Sequence, residues 1–268
     1  KVYNPDFKYW QGVECAFYAA FYRVATLGSG AGVAAIYYFN ERGVPYSKGT
    51  GLYTIEYMLH KVSIALFAGI FFILNWGYMQ KYYSQYDMTL LIGFGVTFVI
   101  AAVLLLFACS KKFHEVLLWI VRKLNRSGKL TEQVKKLEEQ CAILEDAAAT
   151  LLKRGGLIAG CILKNLLKFT FWYGIPFLIL AETGKLTLSQ GLAVTSLAMM
   201  LAAVIPAPAG IGSSEFVLTM LLAKIVGTGA AGSVALLYRF ATFVLPFVIG
   251  AVVVVLWRRV HRSTEKAA

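Results

Sequence analysis

Six stretches of this chain are apolar over lengths that matter to a lipid bilayer, and two of them are broken in the middle by glycine and proline. About 20 apolar residues are needed to cross a hydrocarbon core. Residues 52–76, 87–109 and 233–257 meet this without interruption, and 155–181 is as long but carries Lys164 and Lys168. The first broken run, 12–39, is interrupted by Gly28-Ser-Gly30-Ala-Gly32, and the second, 188–226, by Pro206-Ala-Pro208-Ala-Gly210-Ile-Gly212. Proline has no amide proton and clashes with the preceding turn, and glycine loses the most entropy when fixed. Each break should therefore end a helix. The 15 residues of 212–226 reach about 22 Å, short of a core roughly 30 Å thick. Irregular backbone at that depth survives only inside protein or beside a wet cavity. Two short arms meeting at a break predict a re-entrant helical hairpin in each half.

Composition agrees with a lipid environment. Hydrophobic residues make up 59% and charged residues 15%, against about 45–50% and 25% in soluble domains. The expected class is an all-α polytopic integral membrane protein, not a soluble enzyme. The net charge of +12 sits between and beside the apolar runs. That is the positive-inside pattern rather than a nucleic-acid surface, so no nucleic-acid partner is expected.

Three parts follow: a first membrane half (1–109), a basic loop (110–154) and a second membrane half with a basic tail (155–268). The loop holds ten Lys/Arg and six Asp/Glu, leaving +4. It predicts an amphipathic helix over 114–125, with Val116, Leu117, Trp119, Ile120 and Leu124 on one side. A second helix should follow Ser127-Gly128 with Thr131 as N-cap. Its apolar residues Leu130, Val134, Leu137, Cys141, Leu144, Ala148 and Leu151 alternate in spacings of four and three, a narrow seam. The pair should lie on the membrane or on the helix bundle. Loop and tail (Arg258-Arg-Val-His-Arg262) are both basic, which places both in the cytoplasm.

Counting crossings from there turns the two hairpins to opposite sides. The spacing supports an internal repeat: 22 residues separate Gly30 from Leu52, and 21 separate Ala209 from Ala230. Matching interruptions in two oppositely oriented halves point to a transporter's substrate site.

Ionisable residues in spanning segments cost about 2.5–3.5 kcal/mol each on insertion scales, so each is a functional candidate. Here these are Arg23, Glu56, His60, Lys61, Lys164, Lys168, Glu215, Lys224 and Arg239. Glu56 and His60 share a helix face at i, i+4, either as a polar cavity or proton relay or as a local tie between helices. Lys164 and Lys168 would repel on one face unless an anion or carboxylate lies between them; the alternative is that Lys164 snorkels. Glu215 opens the helix after the second break, where the helix dipole favours a carboxylate. Arg239 needs a partner, and Glu215 is the expected one.

Cys15, Cys109, Cys141 and Cys161 form no C-x-x-C pair and have no histidine at ligand spacing, so neither a metal nor a cofactor is expected. No nucleotide-binding, metalloprotease or nucleophile-elbow motif is present. Gly28-x-x-x-Gly32 and Gly156-x-x-x-Gly160 fit close helix packing. The tyrosine-rich stretch 78–86 reads as an interfacial aromatic belt.

Pro206-Ala-Pro-Ala-Gly-Ile-Gly-Ser-Ser-Glu215 resembles the P-x-P-G-G-x-G-x-x-E signature of the lysylphosphatidylglycerol synthase transmembrane-region family, the flippase-like membrane proteins. The segment from Leu236 through Arg239 and Thr242 to Pro246 is similar to another of its motifs. So is the loop Tyr37-Tyr-Phe-Asn-Glu-Arg-Gly43-Val-Pro45-Tyr-Ser47-Lys48. Ala209 stands where the family has the first glycine of Pro-Gly-Gly. The first break lacks the family's proline.

This family is the membrane half of the multiple peptide resistance factor, whose separate soluble domain transfers the amino acid to the lipid. No such domain is expected within these residues. The chain starts at Lys1, and the family carries further N-terminal helices, so a piece of a longer product is expected.

The resemblance implies a bacterial plasma-membrane protein that translocates anionic or aminoacylated phospholipid between leaflets without being an enzyme. Arg239, Lys168 and Arg23 would meet the headgroup, and Glu56 and Glu215 would hold these cations when the site is empty; His60 would line the cavity. The partners would be membrane phospholipids, with a homo-oligomer or a soluble synthase also possible on this reading. The alternatives are a membrane subunit of an aminoacyl-lipid synthase and a small-solute or ion transporter.

Overall fold

The computed structural model describes residues 2–84, 95–96, 98–100, 102–103, 106, 110–124, 131–151, 153–205 and 207–265. Most of the expected span 87–109, and Pro206, lie outside the described residues. Every described element is helical. In chain order they are α1 (Tyr9–Ala25), α2 (Gly30–Asn40), α3 (Tyr46–Leu74), α4 (Trp76–Tyr83), α5 (Lys111–Leu124), α6 (Thr131–Leu151), α7 (Gly155–Leu180), α8 (Leu188–Ala202), α9 (Ser213–Val226), α10 (Thr228–Arg239) and α11 (Leu245–Glu265).

Three helical stretches among the described residues are long and apolar enough to cross a bilayer: Tyr46–Leu74, Pro208–Val226 and Thr228–Arg259. The second reaches 19 residues only by counting the turn at Pro208. Ala209 inside that turn has φ 53°, so the regular helix begins at Ser213 and has 14 residues, about 21 Å. The third is longer than the expected 233–257 and is not one uniform helix. Phe240–Val244 form a π turn, in which the Leu245 amide donates to the Phe240 carbonyl five residues back. Pro246 supplies the reason: it cannot donate to Thr242, and in a regular helix its ring would strike that carbonyl.

α8 is the hub. Ten of its residues, from Gly191 to Ala202, are buried on all sides, as expected for a helix that is apolar all round. α3, α7 and α9 pack against it. At Gly191 a side chain would collide with Phe177 of α7. Thr187 and Gln190 cap the start of α8 reciprocally.

Contacts fix the directions of the other helices. Glu14 of α1 takes hydrogen bonds from Tyr38 and Arg42, so α2 ends beside the beginning of α1. Arg23 lies over Phe243, Phe21 stacks on Phe247 and Tyr18 meets Trp257, so α11 runs antiparallel to α1. α11 therefore ends near the start of α3, which follows α2. At the other end of α3, Asn75 donates to Ser189 at the start of α8 (2.8 Å). The α1–α2 and α8–α9 pairs thus sit at opposite ends of α3.

The basic loop forms the two expected helices. Val134, Cys141, Leu144 and Leu151 of the seam are buried, and Ala147 is buried rather than Ala148. The C-terminal end of the seam, at Ala147 and Leu151, packs on Ile55 and Leu59 of α3. Lys48 pairs with Asp146 at the same junction.

Two expectations fail for one reason, which is that burial depends on the partner. Tyr83 is no belt residue but fully buried, and its hydroxyl donates to the Leu221 carbonyl at 2.9 Å. Gly156 and Gly160 face open space, whereas Gly32 lies against Tyr53.

At Gly51 a Cβ would sit 2.5 Å from the Ala147 Cβ. Gly51→Val should therefore cost about 1–3 kcal/mol by overpacking. The check is thermal unfolding in detergent, where Gly77→Val, which meets nothing within 4 Å, serves as the control.

Candidate functional site

The second break frees backbone groups that nearby side chains recover. The Ser213 hydroxyl donates to the Gly210 carbonyl (3.3 Å), and the Ser214 oxygen lies 3.0 Å from the same carbonyl. Glu215 accepts from the Gly212 amide (3.0 Å) and from the Ser214 hydroxyl (2.7 Å). The Ala209 carbonyl is met from far along the chain, by Arg239 Nη2 at 3.1 Å. The same guanidinium donates to Ser214 (3.3 Å), pairs with Glu215 (3.2 Å) and lies 3.7 Å over the Phe243 ring. The expected Glu215–Arg239 pair forms, and its first job is structural.

The first break is built differently. The Thr26 hydroxyl donates to the Tyr22 carbonyl and accepts from the Gly30 amide, both at 2.6 Å, so it closes α1 and opens α2. The Gly28 amide reaches back to Arg23. Leu27 (φ 51°) and Ala209 (φ 53°) are the non-glycine residues with positive φ among the described residues, one in each break. Left-handed backbone costs an L-residue about 1–2 kcal/mol. Such strain, concentrated at two points, marks a site.

The two breaks touch. A Cβ on Gly28 would lie 3.3 Å from the Ala209 nitrogen, and Gly28 itself has φ 107°. Arg23 stands beside this junction, 5.6 Å from the centre of the Phe243 ring that Arg239 also covers. Its Nε is buried with no hydrogen-bond partner. Among the described residues it has no carboxylate within ion-pair distance.

A second polar group joins α3 to α7. Lys168 Nζ lies 3.1 Å from His60 Nδ1 and donates to Asn165 Oδ1 at 3.0 Å. It also lies over Phe169 and Trp172. Glu56 is near enough to interact with Lys168 electrostatically, and Arg23 with His60. The site residues named from sequence thus fall into two groups, Arg239–Glu215 and Lys168–His60–Glu56, with Arg23 between them.

Lys164 is exposed, whereas Lys168 is partly buried. Gly28, Gly210 and Gly212 adopt positive φ, as does Ala209 beside Pro208; Gly30 and Gly32 instead make close helix contacts. Asn165, Ser214 and Phe243 were missed. Asn165 carried a usable signal, since it lies three residues from Lys168 on the same helix face.

These features define an integral membrane protein with a polar, strained centre between two broken helix pairs. Over residues 5–250 the chain matches the family described as Lysylphosphatidylglycerol synthase TM region, and it belongs to that family. No curated protein and no solved structure matches it.

Removing one partner of a paired charge leaves the other uncompensated. Arg239→Ala should destabilise by about 2–3 kcal/mol, below the roughly 3–5 kcal/mol of fully buried pairs because the side chains are 17% and 22% exposed. Arg239→Leu with Glu215→Gln should recover part but not all of that, since the Ala209 carbonyl still loses its donor. Unfolding midpoints of the three proteins in one detergent check both statements.

Proposed function

We propose that the chain moves anionic or aminoacylated phospholipid, such as phosphatidylglycerol and its lysyl ester, between the leaflets of a bacterial plasma membrane, with its basic loop and tail in the cytoplasm. The observation that carries this reading is Arg23, a largely buried cation with an unpartnered Nε at the point where the two breaks meet. A lipid phosphodiester offers two oxygens to a guanidinium in a fork geometry. The α1–α2 and α8–α9 pairs are re-entrant hairpins on this reading, and the two halves are inverted copies. Broken segments in matched positions of such halves are where transporters place substrate.

Arg239 and Glu215 hold the second break in shape. Arg23 receives the headgroup, and Lys168, His60 and Glu56 continue the polar surface beside it. The process needs no covalent chemistry, so the chain acts as a translocator rather than an enzyme.

The family description favours a second reading, in which the chain is the membrane part of a lysylphosphatidylglycerol-synthesising system and requires a soluble partner.

The test is headgroup-resolved lipid movement in proteoliposomes, comparing phosphatidylglycerol, lysylphosphatidylglycerol and phosphatidylcholine. The anionic and aminoacylated lipids should move faster. Arg23→Gln should slow them by about tenfold or more, as expected for a lost charge-assisted bidentate contact, while leaving the unfolding midpoint near that of the wild type. Movement of no lipid by folded protein would leave the synthase reading. Equal slowing of phosphatidylcholine, which carries the same phosphodiester, would show that Arg23 reads the phosphate without selecting the headgroup; no slowing of any lipid would remove Arg23 from the mechanism.

A further inference from the structure

We propose that α5 is an interfacial helix that seats on the anionic headgroup surface of the cytoplasmic leaflet, through a stripe made of Lys112, Val116, Trp119, Ile120 and Lys123. These positions follow i, i+4, i+7, i+8 and i+11, which is one face of a helix. The face is open to the surroundings: Val116 is 56% exposed, Trp119 60% and Ile120 42%. A lysine stands at each end of it, and Lys123 Nζ lies 4.8 Å from the centre of the Trp119 ring. Apolar residues and tryptophan flanked by lysines are the pattern of a helix lying in a membrane interface. The lysine stems lie along the apolar surface while their ammonium groups reach the phosphates.

The opposite side of α5 meets α6. His114 is buried and meets Glu145 of α6 at 3.0 Å. Both Nε and Nη2 of Arg122 donate to Glu138 (3.0 and 2.6 Å). These contacts fix which face points away from α6. α6 in turn meets α3, a bilayer-length helix, at the Gly51–Ala147 contact and the Lys48–Asp146 pair.

α5 also starts in the right place. It follows the apolar run 87–109 with one intervening residue, Ser110, whose hydroxyl accepts from the Phe113 amide and opens a new helix. A helix that begins where a bilayer-length run ends begins at the membrane surface.

Charge complementarity selects the occupant. The stripe has two cations, with the exposed Glu115 at one edge, and a second protein would need an acidic apolar surface to match it. The headgroup layer of an anionic leaflet provides that over its whole extent.

The experiment uses the whole protein in vesicles whose lipids are brominated along the acyl chains. The Trp119 signal is the difference between wild type and Trp119→Phe. With phosphatidylglycerol present, this component should be blue-shifted and quenched roughly twofold more than in pure phosphatidylcholine, because anionic lipid draws basic segments to the surface. Lys112→Glu with Lys123→Glu should reduce the quenching to the phosphatidylcholine level; both side chains are exposed, so the fold should persist. A Trp119 component that stays red-shifted and unquenched in both lipids overturns the proposal. So does quenching that is equal in both and indifferent to the two lysines. Neither result depends on whether the protein moves lipid.

Discussion

A helix broken inside hydrocarbon leaves amides and carbonyls with no water to bond them. In this protein most of those groups at the second break are recovered within a few residues, by Ser213 and Glu215. The Ala209 carbonyl is the exception. It accepts from Arg239 of another helix. The geometry of the centre follows. Arg239 needs Glu215 to balance it and Phe243 to cover it, and the π turn that follows it accommodates Pro246.

Packing around that centre relies on close approach. The hydrophobic effect gives little drive between helices already in lipid, so small residues that let backbones meet take over. Four crossings use this device: Gly32 on Tyr53, Gly51 on Ala147, Gly191 on Phe177 and Gly250 on the Phe17 carbonyl. Each binds a different pair of helices. Together they fix α3 and α11 around the touching breaks, and α8 among its three neighbours.

The two arginines near Phe243 divide the work that one kind of residue could do. Arg239 meets a protein acceptor with each of its three nitrogens and belongs to the architecture. Arg23 does not, and its buried Nε keeps a donor open. A saturated cation resists substrate exchange, whereas an unsaturated one invites an anion. The separation is what makes Arg23, rather than the motif residue Arg239, the better candidate to meet a headgroup.

Much of this was legible in the sequence because it is local. The breaks at Gly28 and Gly210, the apolar runs, the two loop helices and their seam all follow from proline and glycine chemistry and from periodicity, and such effects act within a few residues. The Glu215–Arg239 pair was legible too, because a lone intramembrane charge demands a partner. Tyr83 in the core, Gly156 in the open and the contact of Gly28 with Ala209 were not. The chain by itself determined which segments are helical, where they break and that lipid surrounds them. Which faces are buried, which break meets which, and which arginine is left unsatisfied were decided only by tertiary structure. Those outcomes depend on contacts between residues far apart in the chain, and no local periodicity carries that information.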